Sequence, residues 1–151
     1  MKKYGVTNFL LLLAITGVLI VLPGAGFINN AHGDILIVAN KSVQMNFLKK
    51  AELRDIFLGN TIKWKDRSRI NIVVQRDGKA HNEFVKEITQ KSASQFRNYW
   101  KKMVFTGKGS TPKTIEKSDE LLAYVAATEG AIGYVAAGIQ PEGVKIIKIN
   151  D

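Results

Sequence analysis

Downstream of Gly33, apolar residues follow two rhythms: short unbroken runs, and stripes that recur every three to four positions. Ile35 to Ala39 is an unbroken run, as a strand buried on both faces requires. Leu53, Ile56 and Phe57 stand at i, i+3 and i+4, which predicts an amphipathic helix from about Leu48 to Leu58. Gly59-Asn60 follows where such a helix takes a left-handed cap. The β-branched run Ile70 to Gln75 predicts a second strand, and Asp77-Gly78 marks the turn out of it. A helix bearing Phe84, Val85 and Ile88 comes next. Ser92 or Ser94 then caps another, whose inner face is Phe96, Tyr99, Trp100 and Met103. Thr106 to Pro112 cannot continue that helix. Ser118 is expected to cap a further helix, with Asp119 and Glu120 in its first turn and Leu121, Leu122 and Val125 as its buried stripe. Gly130 stops it, Ala131 to Val135 reads as an inner strand, and Val144 to Ile149 closes the chain. Alternating strands and helices predict one α/β domain, residues 34–151, with at least some parallel pairing.

The first 33 residues read differently. Lys2 and Lys3 precede an apolar run from Phe9 to Leu22, which Pro23 and Gly24 interrupt; Ala31-His32-Gly33 then offers small residues for a signal peptidase. This layout predicts a secretory signal peptide cleaved before Asp34, the rival being an uncleaved anchor. Either way the lysines stay inside and the remainder is exported, and a periplasmic location is expected.

Of 151 residues, 22 are Lys or Arg and 13 Asp or Glu, for a net charge of +9. Setting the two leader lysines aside leaves +7, a surface that attracts small oxyanions or polyanions such as an anionic membrane face. Lys49-Lys50 and Lys101-Lys102 fall within predicted helices and read as solvated faces. Cysteine is absent, so export brings no disulfide framework.

Catalytic chemistry has few parts to draw on. The exported segment holds one histidine, His81, and no cysteine, which leaves nucleophilic triads and metal clusters without members. We therefore expect no enzyme activity, no metal and no cofactor. Gly107-Lys108-Gly109-Ser110-Thr111 lacks the glycine offset of a nucleotide-binding loop, although its amides and Lys108 could still meet an anion. Gln75-Arg76-Asp77-Gly78-Lys79-Ala80-His81 is the sharper candidate. It lies where a strand ends and a helix begins, the place where unpaired N–H groups favour a negative ligand. Arg76 suits two-pronged contact with an oxyanion, and Asp77 suits orienting it or accepting its proton. The competing reading is an Asp-Gly turn among solvated charges.

Glu52-Leu53-Arg54-Asp55-Ile56-Phe57-Leu58-Gly59, with Ile62, Trp64 and Asp66 after it, resembles the helix-and-turn motif of phosphate-type periplasmic solute-binding proteins. Ile72-Val73-Val74-Gln75-Arg76-Asp77-Gly78 is similar to that family's strand ending in Arg and an acidic-Gly turn, and Gly130 to Val135 to its Gly-Ala-Ile-Gly-Tyr-Val strand. Trp100 and Phe105 to Gly109 resemble short exported members. The resemblance implies a minimal type II periplasmic-binding-protein-like domain, a mixed, mostly parallel sheet flanked by helices. It implies phosphate or a related oxyanion as ligand and an ABC importer's permease as partner.

Arg76, Asp77 and Gly78 carry over directly, Asn40 and Ser42 are further carry-overs, and Lys79 completes the candidate ligand-binding set. Two features depart from the pattern. An opening strand–helix segment is missing, and Lys79-Ala80-His81 stands near the family's Ser-Gly-Thr. They motivate the alternative of a periplasmic adaptor or sensor module that keeps the fold and binds a protein or an envelope polyanion. No nucleic-acid recognition motif is present, and no stable membrane insertion is expected once the signal is removed.

Overall fold

The computed structural model describes residues 35–151; the signal-peptide reading and the cleavage point fall outside them. Six strands form one sheet: β1 (Ile35–Ala39), β2 (Phe47–Lys49), β3 (Asn71–Gln75), β4 (Lys113–Ile115), β5 (Ala131–Ala136) and β6 (Lys145–Asn150), in the spatial order β2-β6-β1-β5-β3-β4. β3 pairs in parallel with both β4 and β5, and β2 with β6, whereas β1 runs antiparallel to β5 and β6. Five strands thus point one way and β1 points back. The sheet is mixed and mostly parallel, as expected.

Residue alternation along the strands sends side chains to two cores. Ile37, Ala39, Val74, Ile132 and Tyr134 face α1 (Lys50–Phe57), α2 (Lys79–Phe84) and α3 (Ala93–Phe105). Val38, Val73, Ala131 and Val135 face α4 (Ser118–Ala127). The result is a three-layer sandwich with helices on both sides.

Helix ends are capped by named groups. The Ser92 hydroxyl accepts from Gln95 N–H at 3.2 Å while Gln95 Oε1 accepts from Ser92 N–H at 2.8 Å, a reciprocal capping box. Ser118 does not cap α4; Lys117 precedes the helix, and the Ser118 hydroxyl instead accepts from Gln75 Nε2 at 2.8 Å. After Phe84 the chain winds into a π turn, Val85–Thr89, where the Thr89 hydroxyl donates to Val85 O at 2.6 Å. The helix expected from Leu48 begins at Lys50, because Leu48 and its neighbours are taken by the β2–β6 ladder.

The large apolar residues of the helix-and-turn motif are mostly interior. Leu53, Ile56, Phe57 and Trp64 are buried, and the Trp64 indole donates to Gly130 O at 3.0 Å. Trp100 and Tyr99 close the carboxyl end of α1, donating to Phe57 O at 3.2 Å and Leu58 O at 2.6 Å. These residues build the scaffold. Among the described residues, no helix is long and apolar enough to cross a membrane.

Candidate functional site

Strand direction decides what can meet. β3 carries Gln75 at its carboxyl end, so Arg76, Asp77, Gly78 and Lys79 emerge together above the sheet. β1 runs the other way, and its carboxyl end, Asn40, emerges beside the start of β5, with Asn40 N–H donating to Ala131 O at 2.9 Å. Asn71, the first residue of β3, pairs with that same Ala131. Asn40 and Ser42 therefore lie at one end of the sheet and Arg76 to Lys79 at the other, about 15 Å apart by strand rise.

Asn40 is buried, and all three of its side-chain bonds stay inside the protein. Its amide donates to Val125 O and Ala126 O, each at 2.8 Å, and its Oδ1 accepts from Ser42 N–H at 2.9 Å. The Ser42 hydroxyl accepts from Gly130 N–H at 3.0 Å. Both residues tie loops together.

The Arg76 end is open. Arg76 is exposed, its N–H donates to Ile115 O at 3.0 Å, and among the described residues its guanidinium has no carboxylate partner. It lines a cavity of about 220 Å³ whose other charged or titratable walls are His81, Arg97 and Lys101; among the described residues no carboxylate lines it. Asp77 stands beside this cavity and pairs with Arg97 at 3.8 Å, an exposed contact that contributes little to stability. Gly78 precedes α2 at φ 118, and a Cβ there would meet nothing within 4 Å, so the backbone stays approachable from solvent. The first N–H groups of α2, including those of Ala80 and His81, have no acceptor within the helix. Lys79 reaches Glu83 at 3.6 Å on the exposed side.

His81 carries more structure than its sequence context revealed. It is buried, with Nδ1 2.6 Å from the Tyr134 hydroxyl. The same hydroxyl accepts from Gln75 N–H at 3.3 Å, so one phenol links His81 to the end of β3. Burial lowers the His81 pKa, Asp77 opposes this, and Arg97 adds to it. Burial raises that of Tyr134. With the folded-state pKa of His81 depressed, the unfolded chain takes up a proton first as pH falls. Stability is thus complete above the ordinary histidine value of about 6.5 and is lost as pH drops toward the folded value. Thermal melts are expected to show Tm falling between about pH 7.5 and about pH 5.5, and His81→Gln flattening that dependence. An unchanged slope in the variant would remove His81 from this role.

A three-layer sheet with a basic cavity at the carboxyl end of a parallel strand is the layout of a ligand-binding α/β domain. The chain belongs to the PBP superfamily, whose domain model matches residues 24–147. A protein of Clostridium perfringens solved with bound phosphate superposes with a TM-score of 0.61 at 20% identity, over 77% of this chain and 44% of its own. A phosphate-binding protein from Stenotrophomonas maltophilia gives 0.59 at 18%, over 78% and 39%. An ABC-type phosphate transport receptor from Vibrio cholerae gives 0.53 at 18%, over 77% and 46%. The chain thus spans less than half the length of each. No curated protein matches it.

Proposed function

We propose that the chain is an exported, non-catalytic binding domain for phosphate or a closely related oxyanion, held at the carboxyl end of β3. The observation that carries this reading is Arg76, a guanidinium without a carboxylate partner on the wall of a carboxylate-free cavity, in a fold shared with phosphate-binding proteins. Arg76 would supply two parallel N–H donors, and the backbone around Gly78 and the amino end of α2 further ones. Asp77 would accept the proton of hydrogen phosphate, a bond that fully ionised sulfate cannot make. Lys79 adds charge from the rim. Asn40 and Ser42 stay out of contact with the anion in this reading, because they lie at the other end of the sheet. Delivery to a membrane permease, and residence in a periplasm, are parts of the same proposal, supported by the likeness of the fold to an ABC-type phosphate transport receptor.

Calorimetric titration of the purified protein with phosphate and with sulfate tests this directly. Phosphate is expected to bind, and Arg76→Ala to weaken it by about tenfold or more, as loss of a charged hydrogen-bonding pair implies. Asp77→Asn should narrow the preference for phosphate over sulfate. Absence of heat and of thermal shift with either anion would refute the proposal.

A further inference from the structure

A second concavity lies elsewhere. A groove of about 570 Å³ runs along the sheet edge at the amino end of β3, between the turn around Trp64, the 106–112 connection and the start of β4. Lys63, Arg67, Arg69, Lys108 and Lys113 line it, and among the described residues no Asp or Glu does. All five are exposed, and among the described residues none of them takes part in an ion pair.

Their arrangement runs against ordinary electrostatic preference. Lys63 and Arg69 face each other across an isolated antiparallel bridge, where like charges repel. Arg67, between them, sits at φ 70, a left-handed conformation uncommon for a residue with a side chain. The one carboxylate of that turn, Asp66, is engaged by Ser68 N–H at 2.9 Å and the Ser68 hydroxyl at 2.6 Å, and does not line the groove. Lys113 rests over the Tyr124 ring, its Nζ 5.7 Å from the centroid. A multiply charged anion would relieve the mutual repulsion of these five cations.

We propose that this groove is a second anion site, distinct from the Arg76 end, and that it takes a soluble linear oligophosphate of several phosphate units. A single tetrahedral oxyanion fills only a fraction of the groove and reaches only some of its cations. A bilayer face is excluded on shape, because a flat array of headgroups cannot follow a concave wall. The groove and the Arg76 cavity share Trp100, Thr111 and Pro112 as walls, but Arg76 lines only the cavity and the five cations line only the groove, so the two sets of charges are separable by mutation.

The test is titration of the full chain with sodium tripolyphosphate, orthophosphate and vesicles of phosphatidylglycerol. Tripolyphosphate is expected to bind more tightly than orthophosphate, and its affinity to fall steeply as KCl rises from about 50 to about 300 mM. Arg67→Gly removes a cation while relieving the left-handed backbone, so the variant should melt no lower than the parent. Combined with Lys108→Ala, it is expected to weaken tripolyphosphate binding by about tenfold or more, whereas Arg76→Ala leaves it unchanged. The proposal is overturned if, with the other anion site removed by Arg76→Ala, tripolyphosphate binds no better than orthophosphate. It is equally overturned if the Arg67 and Lys108 variant keeps full affinity, if Arg76→Ala abolishes it, or if vesicles bind and tripolyphosphate does not.

Discussion

Gly130→Ala is expected to destabilise the protein by about 3 kcal/mol or more, measured by urea denaturation, and to lower its yield of folded material. Three separate reasons converge on that position. Its φ is +68, a region that costs a residue with a Cβ about 1–2 kcal/mol. A Cβ would also stand 2.1 Å from Arg69 O, a backbone atom that cannot swing aside as a side chain would. Finally, Gly130 joins four segments. Its carbonyl accepts from the Trp64 indole at 3.0 Å and from Asn71 N–H at 3.1 Å, and its N–H donates to the Ser42 hydroxyl at 3.0 Å. Any shift that relieves the clash breaks bonds to partly or fully buried groups, each break adding about 1–3 kcal/mol. Gly138→Ala is the control: a Cβ there meets nothing within 4 Å and φ is unexceptional, so a change within about 0.5 kcal/mol is expected. Equal effects at the two glycines would mean that the Gly130 turn can rearrange freely.

Gly130 also shows what a sequence motif encodes. Whereas Arg76, Asp77 and Gly78 are exposed, six of the residues that mark the family resemblance (Leu53, Ile56, Phe57, Trp64, Gly130, Tyr134) are interior and report the fold. Their periodicity is strong, and for that reason the long strands and the stripes of α1, α3 and α4 were legible from sequence. β2 and β4 were not. Each is three residues long, too short to display alternation, and each exists because a neighbouring strand offers it a backbone ladder. Phe47, exposed at 57%, has no inward pattern to betray it.

The candidate site was legible only in part, for a related reason. A strand run followed by Arg-Asp-Gly locates a carboxyl end, and Arg76 to Lys79 do emerge together. Nothing in a five-residue apolar run reveals which way the strand points, so Asn40 and Ser42 could be grouped with Arg76 on sequence alone. The antiparallel β1–β5 register separates them. The bond between His81 and Tyr134, 53 positions apart, and the five-cation groove spread from Lys63 to Lys113 are likewise products of tertiary folding. The groove's sequence traces are an excess of basic residues and the Gly107 to Thr111 loop, whose Lys108 was legible as a possible anion contact.

The place of Asn40 yields the second large effect. Asn40→Ala is expected to cost about 2–4 kcal/mol, since it strands Val125 O and Ala126 O in the last turn of α4 and frees Ser42 N–H. Asn40→Asp should be worse at neutral pH. A carboxylate keeps the bond from Ser42 N–H, but it turns a second anionic oxygen toward two carbonyls at the negative end of the α4 dipole. That environment raises the folded-state pKa of the new carboxyl, so its destabilisation is smallest below the unfolded aspartate value of about 3.9 and grows as pH rises. When protonated, the group regains one donor for a carbonyl. The aspartate variant should therefore converge on the alanine variant as pH falls toward about 4, the reverse of the trend expected from His81 in the parent. Phosphate affinity measured on the folded fraction should stay at the parental value in both, because the Arg76 end is untouched. If instead both variants melt like the parent while losing phosphate, Asn40 touches the anion, and the placement of the site at the carboxyl end of β3 fails.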